Sequence, residues 1–316
     1  MIPVFPDRMF DYCPRPSQNT APSTTATMPP PATAPIKTMR LYHHLTWVDT
    51  ELAEKGLLAS GALKVDDLLP FDGMHYHGAG AVDEGIATMG LGPTDLVLDI
   101  GAGLGGPARQ MASRAGCRVV AVEMQEDISL QAEGYTARCG LPDKVHHVAA
   151  DFLACNLATL GGGPGSFDHV TSWLAFLHIE DKKALLGRVA SLLKPGGTLY
   201  IEDFFALGAL TAAEQESLAS DVFAVGLPTR EAYLAALSAA GFDVEIEFTD
   251  MTASWTEFVT SRRKQWIKNQ ERTVRVHDSA FYQARLHFFS AMEVLFEGGR
   301  LGGVRIYAKM SQDGIR

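Results

Sequence analysis

The chain has 316 residues, 47% of them hydrophobic, enough for one substantial core and an appendage. Its formal charge of −10, from 27 Lys and Arg against 37 Asp and Glu, argues against a nucleic-acid partner, and no apolar run reaches the roughly 18 residues of a membrane span. The four cysteines (Cys13, Cys117, Cys139, Cys155) have no metal-ligand spacing and no secretory signal is visible, so a reducing, cytoplasmic setting without a bound metal is expected.

Residues 1–38 hold nine of the 16 prolines, with many Thr, Ser and Ala. Such a segment buries too little apolar surface to offset its ordering entropy, so a disordered tail is expected. Arginine is scarce there (Arg8, Arg15) and Asp7 and Asp11 are wrong for a transit peptide, which leaves organelle targeting weakly supported. Residues 39–95 read as an N-terminal helical cap segment. It contains a helix over 47–58, an aromatic, glycine-flanked run over 71–78 with His75, Tyr76 and His77, and a helix over 81–89.

Residues 96–316 read as the main domain. Val97-Leu98-Asp99-Ile100 is a buried strand running into Gly101-Ala102-Gly103-Leu104-Gly105-Gly106. Gly101, Gly103 and Gly106 satisfy a dinucleotide-type glycine pattern, which alone is weak. Asp99, two residues before the first glycine, suits a ligand bearing an ammonium better than a pyrophosphate, which favours bare backbone N–H groups. After a helix over 107–115, a second strand over 118–123 ends in Glu123. That acid lies 22 residues after Gly101, near the offset at which a carboxylate meets ribose hydroxyls. A third strand over 145–150 ends at Asp151, which is either a turn cap or a ligand contact. A fourth covers 167–172, and Leu192-Leu193-Lys194-Pro195-Gly196-Gly197 turns the chain into a fifth over 198–202. Helices over 212–225 and 229–240, a strand over 242–248 and a final strand over 302–309 follow. A helical insertion over 254–296 separates those last two strands. The strand ends carrying Asp99, Glu123, Asp151 and Trp173 are expected along one edge of an open α/β sheet, where such sheets bind ligands.

The stretch from Asp72 to Asp203 resembles the class I S-adenosylmethionine-dependent methyltransferases, and within them the sarcosine/dimethylglycine and phosphoethanolamine N-methyltransferases. The residues that carry the resemblance are Leu98 to Gly106, Ala175-Phe176-Leu177-His178 and Leu193-Lys194-Pro195-Gly196-Gly197. It implies a Rossmann-like sheet of seven mostly parallel strands with helices on both faces, an antiparallel last strand, and the helical insertion as a pocket cover. It also implies S-adenosylmethionine as methyl donor: Asp99, Gly101, Gly103 and Gly105 at its methionine part, Glu123 at the ribose, Asp151 and Phe152 at the adenine, with Met124 and Trp173 among the other cofactor-binding residues.

His178 is the leading catalytic candidate, with Tyr76 as the upstream tyrosine, although its spacing is offset from the resembled pattern. His75 and His77 are candidates for the near wall of the acceptor pocket. Arg285 and Arg300, in or beside the insertion with Arg262 and Arg263, are candidates to hold an anionic group on the acceptor. The expected acceptor is an amine nitrogen of a small polar metabolite. Trp173 and Leu174 stand where the resembled enzymes have a polar pair, which keeps open the sulfur of a small thioether acid such as methylthio-hydroxybutyrate, as in dimethylsulfoniopropionate synthesis. An NAD-dependent oxidoreductase is a remoter alternative permitted by the glycines alone, and a homodimer is an open assembly state.

Overall fold

The computed structural model describes residues 46–57, 60–242 and 244–311. The Pro-rich stretch 1–38, and residues 39–45 after it, lie outside the described residues. Three helices come first: α1 (Trp47–Glu54), α2 (Val65–Asp72) and α3 (Ala79–Met89). Strands and helices then alternate: β1 (Leu96–Ile100), α4 (Gly106–Ala115), β2 (Arg118–Glu123), α5 (Glu126–Arg138), β3 (Val145–Ala149), β4 (Phe167–Trp173), α6 (Lys182–Leu192) and β5 (Leu193–Ala206). The remainder is α7 (Ala212–Ser217), α8 (Arg230–Ala239), β6 (Glu245–Asp250), the insertion α9 (Thr252–Lys268), α10 (Gln270–Val276) and α11 (Ser279–Glu297), and β7 (Leu301–Lys309).

The seven strands form one sheet in the order β3-β2-β1-β4-β5-β7-β6. β1 to β5 pair in parallel, and β7 runs antiparallel to both its neighbours. Alternation along β1 explains the two layers of helix. Leu98 and Ile100 face a core shared with α6 and α8 through Leu185, Val189, Tyr233 and Leu237. Val97 faces the other side, against Val82 and Met89 of α3 and Met111 of α4. A strand covered on both faces must be apolar on both, which is why Val97-Leu98 and Val119-Val120 read as continuous runs.

Several boundaries differ from the sequence-based expectation. α2 is absent from that expectation, because Pro70 and two leading acids mask it; Lys64 N–H donating to Asp67 Oδ2 at 2.8 Å closes its first turn. β5 begins at Leu193 and so includes the Pro-Gly-Gly segment. The helix expected over 212–225 stops at Ser217 and passes into a π turn over Leu218–Val222, with Phe223 left-handed at φ 57°.

The cap helices are tied to the glycine loop by an ion pair. Arg109 of α4 donates to Asp72 Oδ2 at 2.7 Å, with both side chains excluded from water. The same guanidinium donates to the Leu104 carbonyl, to Thr136 and to the Ala132 carbonyl. Val48, Leu52 and Leu68 add apolar contact with Leu104 and Ile128.

Candidate active site

The parallel strands change direction of succession between β1 and β4, which opens a crevice at their carboxyl ends. A cavity of about 420 Å³ lies there. Its walls come from the β1–α4 loop, the ends of β2 and β4, the turn after β3, the α2–α3 connection and the segment around His178.

Gly101 forms the tight turn out of β1. Its φ is +74°, and a Cβ added there would stand 2.1 Å from Ala175 Cβ, so the loop and the segment after β4 approach to a distance that only glycine permits. The Gly103 N–H then donates to Glu123 Oε2 at 3.0 Å, and Gln125 N–H donates to Oε1 at 2.9 Å. Burial raises the Glu123 carboxyl above its usual range, while these backbone bonds pull it down. Each oxygen keeps a second acceptor site, so the carboxylate can still receive two hydroxyls.

The cavity wall brings together Gly101, Gly103, Glu123, Met124, Phe152 and Trp173. Asp151 joins them while its Oδ1 accepts from Leu153 N–H at 2.9 Å, so the turn-capping and wall positions are one and the same. Asp99 does not reach the wall. It is fully buried behind the loop, accepts from Thr171 at 3.0 Å, and its Oδ2 has no donor among the described residues. Burial pushes its carboxyl up to about 7. Gly105 is also outside the wall; a side chain there would press on His147 and Arg109, so its smallness serves packing.

His178 borders the cavity, and its Nδ1–H donates to the Phe223 carbonyl at 2.9 Å. That bond fixes the tautomer and leaves Nε2 as a lone-pair acceptor. Burial pulls its pKa down to about 4, so the ring is neutral through the physiological range. Lys182 steadies the same turn by donating to the Phe176 and Ile179 carbonyls. His75 also borders the cavity, donating through Nε2 to the Gly78 carbonyl at 3.0 Å, with burial pulling its pKa down to about 4.

Tyr76 does not join them. It is buried in an aromatic cluster, 4.6 Å from Trp255 and 5.7 Å from Phe258 between ring centres, outside the cavity wall. His77 bonds Ser254 Oγ at 2.8 Å on the outer side. Arg300 is exposed and paired with Glu214 at 3.2 Å, and it borders neither this cavity nor the one beside it. The helical insertion supplies no residue to the first cavity; it lines an adjoining one, and Met74 borders both.

Residues 97–197 match a family model described as a methyltransferase domain. Sterol 24-C-methyltransferase of Eremothecium gossypii is 33% identical over 115 residues, which span 36% of this chain and 30% of that protein. The sarcosine/dimethylglycine N-methyltransferase of Halorhodospira halochloris is 27% identical over 212 residues, 67% of this chain and 73% of the relative. Among solved structures, a phosphoethanolamine N-methyltransferase 2 of Haemonchus contortus aligns with a TM-score of 0.71 at 19% identity, covering 87% of this chain and 59% of that one.

Residues 97–197 form a methyltransferase domain.

The match and the strand order set aside the oxidoreductase alternative. The chain spans under a third of the sterol methyltransferase matched above. No helix among the described residues is long and apolar enough to cross a membrane.

The sequence does not disclose the backbone conformation at three positions around this cavity. Leu174 borders the cavity with φ +56°, and Phe223, whose carbonyl orients His178, has φ +57°. With His77 at φ +58°, these are the three left-handed non-glycine residues among the described residues. Such backbone costs about 1–2 kcal/mol per residue and persists where surrounding structure over-determines it. No local residue type announces it, because Leu, Phe and His are ordinary in any element.

Proposed function

We propose that this chain transfers a methyl group from S-adenosylmethionine to an amine nitrogen of a small polar metabolite. The observation that carries the reading is the single cavity uniting the Gly101–Gly103 loop, Glu123, Asp151 and Phe152 with a neutral His178. When bound, S-adenosylmethionine supplies an electrophilic methyl on a sulfonium. The close-approaching loop would hold its methionine end, Glu123 its ribose, and Asp151, Phe152 and Met124 its adenine. Trp173, Leu174 and Ala175 line the same cavity as His178, and holding donor and acceptor in line there would supply much of the rate.

An amine must shed a proton before it attacks. With a pKa near ~10.4, neutrality at pH 7 costs roughly 4.6 kcal/mol. His178 Nε2 can receive that proton only weakly, because its burial depresses its basicity. This, with the apolar Trp173-Leu174 pair, is the observation favouring a second reading, a thioether sulfur with no proton to lose.

The pH profile separates the two. With its pKa at about 4, His178 is already neutral at mildly acidic pH and adds no limb over the neutral to mildly alkaline range. For an amine acceptor, kcat/KM should climb about tenfold per pH unit until the amine's own pKa. A profile flat over that range with a transferable methyl would reject the amine and favour sulfur.

Glu123→Ala should weaken S-adenosylhomocysteine binding about 10- to 150-fold, the worth of charged hydrogen bonds, with the melting temperature little changed. Unchanged affinity by calorimetry would remove Glu123 from the site.

A further inference from the structure

The second cavity, about 480 Å³, lies between α1, the end of α2 and the insertion helices α9 and α11. It shares Met74 with the first cavity. Its walls are largely aromatic, from Trp47, Phe71, Phe258, Trp266, Phe288 and Phe289. Set among those rings are three guanidinium groups, Arg262, Arg272 and Arg285, and one carboxylate, Glu51. The surplus is positive in a protein whose net charge is −10.

Glu51 is already spent. It takes both forks of Arg272, at 2.7 and 3.0 Å, and His277 at 2.9 Å. Arg262 lies 4.7 Å from the Phe258 ring centre and reaches the His75 carbonyl only at 3.4 Å. Arg285 is 6% exposed and makes no hydrogen bond or ion pair with any described residue; its Nη2 is buried without an acceptor. The faces of Trp47, at 4.2 Å, and Phe281, at 4.8 Å, attend it, while Arg262 repels it and the already paired Glu51 attracts it without touching it. A buried charge without a partner is costly, and ring faces offset only part of that cost. A bound anion would supply the missing acceptor.

We propose that this cavity anchors the methyl acceptor by a carboxylate, with Arg285 as its counter-charge and Arg262 beside it. The rest of the acceptor passes Met74 so that its methyl-receiving atom lies in the first cavity. The inference rests on the methyltransferase reading above. A carboxylate fits better than a phosphate dianion, because Arg272 is committed to Glu51 and one planar fork remains wholly unmet.

The test uses the full chain loaded with S-adenosylhomocysteine and titrated calorimetrically with straight-chain acids from acetate to octanoate and their primary amides. At the best chain length the acid should bind about 10- to 150-fold tighter than its amide. Arg285→Met should erase that preference, leave S-adenosylhomocysteine affinity within about twofold, and not lower the melting temperature, since it removes an unpaired buried charge. Should that variant fail to fold, Arg285→Gln decides by the same comparison. No acid preference at any length, or a preference that survives substitution of Arg285, overturns the proposal. Failure of S-adenosylhomocysteine to bind the unaltered protein sinks the methyltransferase reading instead.

Discussion

Replacing Arg109 with methionine should destabilise the protein by about 3–5 kcal/mol, the cost of leaving a buried carboxylate without its partner. Asp72 and Arg109 pair at 2.7 Å with side chains 1% and 0% exposed, so no water can take over. The same substitution frees the Leu104 carbonyl at the tip of the glycine loop, so cofactor affinity should fall with stability. Combining Arg109→Met with Asp72→Asn should recover part of the loss, because the stranded charge is then gone. Denaturant unfolding of the two single variants and the double variant measures this. Strictly additive losses would show that the ion pair does not couple α2 to the loop.

Gly101→Ala should have the next largest effect. The added Cβ would lie 2.1 Å from Ala175 Cβ, at a residue whose φ is already +74°. Left-handed strain costs about 1–2 kcal/mol and overpacking about 1–3 kcal/mol, and the two arise from different atoms. The only relief is to push the loop away from Ala175, which opens the wall that Gly101 and Ala175 share. The variant should therefore lose about 2–5 kcal/mol of stability and at least about tenfold in S-adenosylhomocysteine affinity. A variant that melts like the parent and binds as tightly would mean that the close approach is not needed.

Legibility in the sequence followed locality. The strand-glycine-helix unit from Leu96 to Ala115, and Glu123 at its offset, are encoded within one stretch of under 30 residues. Hydrophobic runs and small-residue spacing therefore disclosed β1, β2, the crevice edge and the pocket-wall position of Glu123. His178 was accessible in the same way, as the residue closing a short motif after β4. By contrast, Asp99 looked like a ligand contact because an acid before glycines is polar, yet the depth of β1 in the sheet sets it behind the loop with Thr171. Tyr76 and His77 are adjacent to His75 in the chain, but the connection turns sharply at His77, so only His75 borders the cavity.

The four arginines show the division most clearly. The sequence puts Arg285 and Arg300 ahead of the adjacent Arg262 and Arg263, but does not separate those two from each other. Packing separates them: Arg263 pairs with Glu293 and Arg300 with Glu214, whereas Arg285 faces inward between Trp47 and Phe281 without an acidic partner. Local order of residues thus determined the sheet, its glycine turn and the acid that follows it, since each depends on spacing along one strand or turn. Which charges are left without a partner, and where a second cavity lies, depends on helices far apart in the chain, α1 and α11, meeting over the same space; only the tertiary structure decided that.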